Sequence, residues 1–261
     1  MDLDLDVILD DWRCPEDEVA ARLIDGEDGV ALVQLRVDLG LLQMYRDGRP
    51  DGRRYRGFAT AADFVRHELG VGREISEHDC QELHRELQQF NYRRLALSSL
   101  AEDAIERGAA DDAHELVRRA LADIEHCLRA LELMRRCDET FDETLAMLVP
   151  TLVFNRARLL VNLCVVEQRY DEAVEQVRVG LRQLEEALDR AGCDEQQREE
   201  NAALSYLRQV GQRLREQYGI RRTLREQLEE AIEREDFETA ARLRDRLRRQ
   251  QPTDLPLGYL E

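Results

Sequence analysis

The stretch Ser76–Cys137, SEHDCQELHRELQQFNYRRLALSSLAEDAIERGAADDAHELVRRALADIEHCLRALELMRRC, decides the fold. Leu83, Leu87, Phe90, Leu97, Leu100 and Ala104 recur at helical steps and form one apolar stripe. Ser76, followed three residues later by Asp79, reads as a capping-box start. Gly108 breaks the pattern and Asp111 or Asp112 restarts it. Leu116, Ala120, Ile124, Leu128 and Leu131 then carry a second stripe toward Cys137. Two long stripes joined by so few residues must fold back on each other.

Working outward, a third helical pattern runs from Phe141 to Tyr170, and Pro150 is expected to kink or split it at Val149. Asp171–Leu188 reads as a fourth helix and Glu199–Tyr218 as a fifth. The series Leu100-Ala101, Gly108, Ala113, Val117, Ala120 returns as Leu160, Tyr170-Asp-Glu-Ala173, Val177, Gly180, displaced by 60 residues. This resembles tetratricopeptide hairpins with lengthened helices, because small residues let paired helices cross closely. Cys164 and Val177 depart from the larger aromatics usual there.

Residues 1–75 are mixed in character. Pro15 can open a short helix ending at Ile24, before Gly26. Val33, Leu35, Val37 and Leu39 alternate with polar or small residues, which argues a strand with one buried face. Leu41, Leu42 and Met44 break that alternation and leave a helix open. Gly48-Arg-Pro-Asp-Gly52 is a turn, Arg53–Phe58 a candidate return strand, and Thr60 a cap for a short helix ending near Gly70.

Composition narrows the function. Charged residues make up 36% of the 261 and the net charge is −18, so the body repels nucleic acid and anionic membrane at long range. No run approaches the roughly 20 apolar residues of a membrane span. The acidic start Met1-Asp2-Leu3-Asp4 lacks the order of a secretory signal. Scattered Cys14, Cys80, Cys127, Cys137, Cys164 and Cys193 read as reduced thiols. Together these predict a cytoplasmic protein. All 38 basic residues are arginine, consistent with a GC-rich, bacterial genome. Chemistry that needs a Schiff-base or P-loop lysine is excluded.

Residues 221–251 read RRTLREQLEEAIEREDFETAARLRDRLRRQQ. Leu224, Leu228, Ala231 and Ile232 form one stripe. Phe237, Ala240, Ala241, Leu243 and Leu247 form another. Asp236 can cap the second helix. Burying nine apolar side chains falls short of the entropy of ordering 31 residues, so the lone hairpin is marginal and calls for other helices. It holds nine arginines and eight acids, which makes it the least acidic large segment of the chain.

The series Leu224, Leu228, Ala231, Glu235-Asp236-Phe237-Glu238, Ala240-Ala241, Leu243-Arg244-Asp245 and Leu247 resembles the UvrB/UvrC (UVR) motif over about one-eighth of the chain. The resemblance implies a hairpin that binds another such hairpin, or a partner such as a Clp ATPase or a protein-arginine kinase. It also puts Arg244-Asp245 at the contact edge, pairing across the interface; solvation of a helix face is the alternative.

Other constellations are weaker. His78, Cys80 and His84 lack a common face and a fourth metal ligand. Asp111-x2-His114 and Asp123-x2-His126 share one helix, whereas di-iron sites draw on two; ordinary exposed or capping roles are expected. Tyr45–Arg56 gathers Arg46, Arg49, Arg53, Arg54 and Arg56, a possible phosphate or nucleic-acid loop. Asp47 and Asp51 supply local partners instead if the loop is merely solvated.

The sequence therefore predicts a mainly α protein. Its parts are a small α/β region at 1–75, tetratricopeptide-like hairpins at 76–219, a UVR-like hairpin at 220–251 and an extended tail at 252–261. The expected function is a non-enzymatic adaptor without cofactor or metal, accessory to excision repair or to Clp-type proteolysis and arginine-kinase regulation. Its partner would be a protein bearing a similar hairpin, or a second copy joined through 221–251. The alternative is a repair accessory that contacts nucleic acid through 45–56.

Overall fold

The computed structural model describes Leu9, Trp12 and residues 19–38, 40–137 and 147–250, with residues 248–250 described by backbone alone. Three antiparallel strands, β1 (Ala21–Asp25), β2 (Ala31–Val37) and β3 (Gly40–Tyr45), form one sheet in the order β1-β2-β3. Nine helices follow among the described residues. They are α1 (Ala61–Gly70), α2 (Glu77–Glu106), α3 (Ala110–Cys137), α4 (Leu148–Val166), α5 (Tyr170–Arg190), α6 (Glu195–Glu199), α7 (Ala202–Tyr218), α8 (Leu224–Glu233) and α9 (Phe237–Gln250).

The caps act where the sequence placed them. Thr60 accepts from the Asp63 N–H, and Ser76 and Asp79 close a reciprocal capping box. Gly108 takes φ +72° between α2 and α3, a conformation that costs a side-chain-bearing residue energy.

Several expectations are corrected. The helix expected to reach Ile24 is replaced, over Ala21–Asp25, by β1, because Leu23 pairs with Val33 and Ile24 with Leu32; residues 13–18 lie outside the described set. The broken alternation after Val37 is a hairpin: Val37 pairs with Gly40, and Met44 lies opposite Val33. Leu39 is outside the described residues. Arg53–Phe58 forms no strand, only the isolated Tyr55–Phe58 bridge, since β3 already returns along β2. Pro150 kinks nothing. It sits in the first turn of α4, where its missing N–H costs no helical bond. The expected fifth helix, Glu199–Tyr218, starts instead at Ala202, because the Asn201 side chain accepts from the Ala203 and Leu204 N–H groups and caps α7. Phe141 and the tail at 252–261 fall outside the described residues.

Two apolar clusters share α4. The first joins the sheet to α1, α2, α3 and one side of α4 through Leu152, Leu159 and Leu163. The second joins the other side of α4, through Ala157, Val161 and Cys164, to α5 and α7. Helix α4 is long and apolar enough, by length and composition, to cross a membrane, which the expectation of no such run had missed. In this fold its leucines enter the first cluster, and Arg156 and Arg158 pair with Glu125 and Glu102 on neighbouring helices.

The small residues earn their place at the crossings. A Cβ on Gly180 would lie 2.5 Å from the Ala157 Cβ, and one on Gly211 would lie 3.0 Å from Val177 Cγ1. Gly180→Val is therefore expected to destabilise the fold by about 1–3 kcal/mol through overpacking. Urea unfolding with an unchanged m-value reads that loss directly; equal midpoints for variant and wild type would mean α4 and α5 can part freely.

Candidate protein interface

The final hairpin is built by local signals. Thr223 Oγ1 accepts from the Glu226 N–H at 3.2 Å, and Glu226 Oε2 accepts from the Thr223 N–H at 2.7 Å, closing the capping box of α8. Burial works to raise the Glu226 carboxyl, but hydrogen bonds from Arg215 and Thr223 outweigh it and hold it below the usual range. Glu235 adopts φ +58° and reverses the chain. Asp236 then accepts from the Thr239 N–H at 3.0 Å at the start of α9, which lowers its pKa.

The structure sorts the predicted interface residues into three groups. Leu224, Ala231 and Ala240 are buried; Leu228, Ala241, Leu243 and Leu247 are half-buried. Ile232 is 54% exposed and Phe237 71%, the highest value for a large hydrophobic residue among those described. Ile232 ends α8 and Phe237 begins α9, so the two apolar side chains flank the hairpin turn. Arg244 and Asp245 contact each other at 3.2 Å on the exposed surface.

Neither apolar cluster extends beyond Ile220. Across the junction the side-chain ties are ionic: Arg215 to Glu226 at 2.6 Å, Arg225 to Glu175 at 3.2 Å and Arg178 to Glu229 at 3.5 Å. Exposed pairs of this kind contribute little each. Gly219, at φ +65°, caps α7 just before them.

The arginine loop buries one guanidinium and leaves Arg53, Arg54 and Arg56 exposed. Arg49 is buried against Asp51, Glu82 and Glu86. Arg46 meets Asp47 and Glu115, Arg56 meets Asp79, and Arg54 donates to the Gly57 carbonyl. Three of the five guanidiniums, those of Arg46, Arg49 and Arg56, hold carboxylates.

One expectation about the acid–histidine pairs is also revised. Asp123 and His126 are buried rather than exposed. Arg93 grips Asp123 with two bonds of 2.7 and 2.8 Å and donates to the Tyr45 and Gly48 carbonyls. His126 Nε2 lies 2.9 Å from Glu86 Oε1 and its ring stacks on Phe90 at 3.7 Å. Glu86 also accepts from the Ala61 and Ala62 N–H groups at the start of α1. His114 instead reaches Glu167 at 2.9 Å. The signal for the network was available: Glu86 and Arg93 fall on the same stripe as Leu83, Phe90 and Leu97. Among the described residues no group of three or more His, Cys, Asp or Glu is arranged to hold a metal. Burial pushes the Cys127 thiol up to about 12 and the Cys164 thiol up to about 11, so neither is a thiolate nucleophile at neutral pH.

Comparison with curated proteins and with solved structures gave no match. The family model described as the UvrB/uvrC motif, UVR, matches residues 220–251. The hairpin formed by α8 and α9 is therefore a UVR motif, carried on a mostly helical body.

Proposed function

We propose that this protein is a non-enzymatic, cytoplasmic adaptor whose UVR hairpin docks on a second helical hairpin, in another protein or in a second copy. The observation that carries the reading is the exposure of Ile232 and Phe237 beyond both apolar clusters. Water-exposed aromatic and aliphatic side chains at a rigid turn are the kind of anchor that fills a partner's pocket. The near-neutral charge of the segment, on a body that carries the chain's acidity, makes it the least repulsive face for an acidic partner. We place the protein beside excision repair or beside Clp-type proteolysis and arginine-kinase regulation, the settings in which such hairpins dock. The paired helices α2–α3 and α4–α5 would act as a tetratricopeptide-like platform.

Phe237→Asp tests this reading. It is expected to weaken docking by at least about 30-fold, the effect of losing an anchor worth 2 kcal/mol or more, while the circular dichroism spectrum stays unchanged. Crosslinked capture and light-scattering mass are compared for wild type, Phe237→Asp and a deletion of 220–261. The same mass and the same captured hairpin protein in all three would sink the proposal.

A further inference from the structure

A second polar cluster lies away from the hairpin, on the face where α2 approaches α4. Arg94, Ser98 and Glu102 occupy successive turns of α2, and Arg158 projects from α4. The floor is closed: Arg94 is 3% exposed and Ser98 5%. The rim is open, with the Arg158 side chain 28% exposed and that of Glu102 37%.

This cluster is under-partnered in a consistent direction. Arg94 donates to the neutral Asn91 side chain at 2.9 Å, and no ion pair joins it to a carboxylate among the described residues. Ser98 Oγ and Arg158 Nε are buried without hydrogen-bond partners. Glu102 Oε1 lies 2.7 Å from Arg158 Nη2 but fails the angular geometry of a hydrogen bond. Burial bears against the charged form of Arg94, with Cys127 opposing and the positive charge of Arg158 adding to it. Burial also raises the Glu102 pKa, with Asp103 and Glu106 adding to it and Arg158 opposing. Buried donors left unmatched are costly, and a buried cation without a counter-charge more so. Among the described residues, only Arg158 of the two guanidiniums reaches a carboxylate, Glu102, and the Ser98 hydroxyl has no partner. What they lack is negatively charged oxygen.

We infer that Arg94, Ser98 and Arg158 form a binding site for a small oxyanion, a phosphate or a carboxylate, which Glu102 partly blocks. The anion enters at the rim and bridges the two guanidiniums. Ser98 donates its hydroxyl from the floor, and Glu102 swings outward to solvent. The planar donor forks of arginine suit paired oxygens, which a halide does not present. Occupancy would tie α2 to α4, the helices that frame the first apolar cluster, and so would stabilise the folded chain in proportion to ligand concentration. This inference is independent of the hairpin's role.

The full chain is titrated with inorganic phosphate, with acetate and with sodium chloride at matched ionic strength, reading thermal unfolding and calorimetric heat. Phosphate or acetate should raise the unfolding temperature above the chloride reference, and the arm that does so identifies the oxyanion. Arg158→Gln should weaken that binding about tenfold, as expected for one charged hydrogen-bond donor set. Glu102→Gln should tighten it, because the competing carboxylate is gone. Arg94→Gln should abolish it; if that variant fails to fold, the two rim variants carry the test. No shift above chloride, or equal shifts in wild type, Arg158→Gln and Glu102→Gln, overturns the site.

Discussion

Arg93→Met is expected to lower unfolding free energy by about 3–5 kcal/mol, because it strands the Asp123 carboxylate in the interior. The pair is buried on both sides and doubly bonded. Removing one member keeps the desolvation cost of the other and discards what offset it. The same guanidinium also closes the Tyr45 and Gly48 carbonyls, so the turn after β3 loosens with it. Adding Asp123→Leu to Arg93→Met should recover much of the loss, since two apolar side chains bring no stranded charge; the carbonyl bonds would stay lost. Urea denaturation of the two single variants and the double variant gives the coupling. A single-variant loss under about 1 kcal/mol would mean water reaches Asp123 and the pair is not a core element.

Glu86→Ala is expected to be comparably severe, at about 3–5 kcal/mol. Its carboxylate meets three hydrogen-bonding groups, the Ala61 and Ala62 N–H groups and His126 Nε2, and forms an ion pair with Arg49, whose Nε lies 3.3 Å away. The first two are unsatisfied amides at the start of α1, where a negative charge also meets the positive end of the helix. Loss of the carboxylate releases α1 from α2 and leaves Arg49 to Asp51 and Glu82. Hydrogen exchange should locate the effect: Ala61 and Ala62 amides lose protection ahead of those in α5 and α7. Uniform loss across all helices would contradict this local role. Glu86→Gln, which retains one carbonyl acceptor, should fall between alanine and wild type.

Much of the helical body was legible because its signals are local. A serine with an acid three residues on, a glycine at Gly108, and apolar residues at helical steps each act within one or two turns, so no distant contact was needed to read them. The UVR hairpin was legible for the same reason, down to the Asp236 cap. The misreadings share the opposite cause. Whether Ala21–Asp25 is helix or strand depends on β2, ten residues away. Pro150 is harmless or disruptive according to where the helix begins. For the arginines at 45–56, spacing offered Asp47 and Asp51 as local partners but could not name Glu82, Glu86, Asp79 and Glu115, which come from other elements. The exposure of Ile232 and Phe237 was not readable from spacing either, since a stripe gives direction but not what lies beyond it.

The junction at Gly219 has one more consequence. Because the apolar clusters stop at Ile220 and ion pairs reach across the junction, the hairpin should transplant. Grafted behind an unrelated helix that ends in glycine, it should keep its capping box and its turn. That makes this segment a cassette that evolution or an engineer can move as a unit.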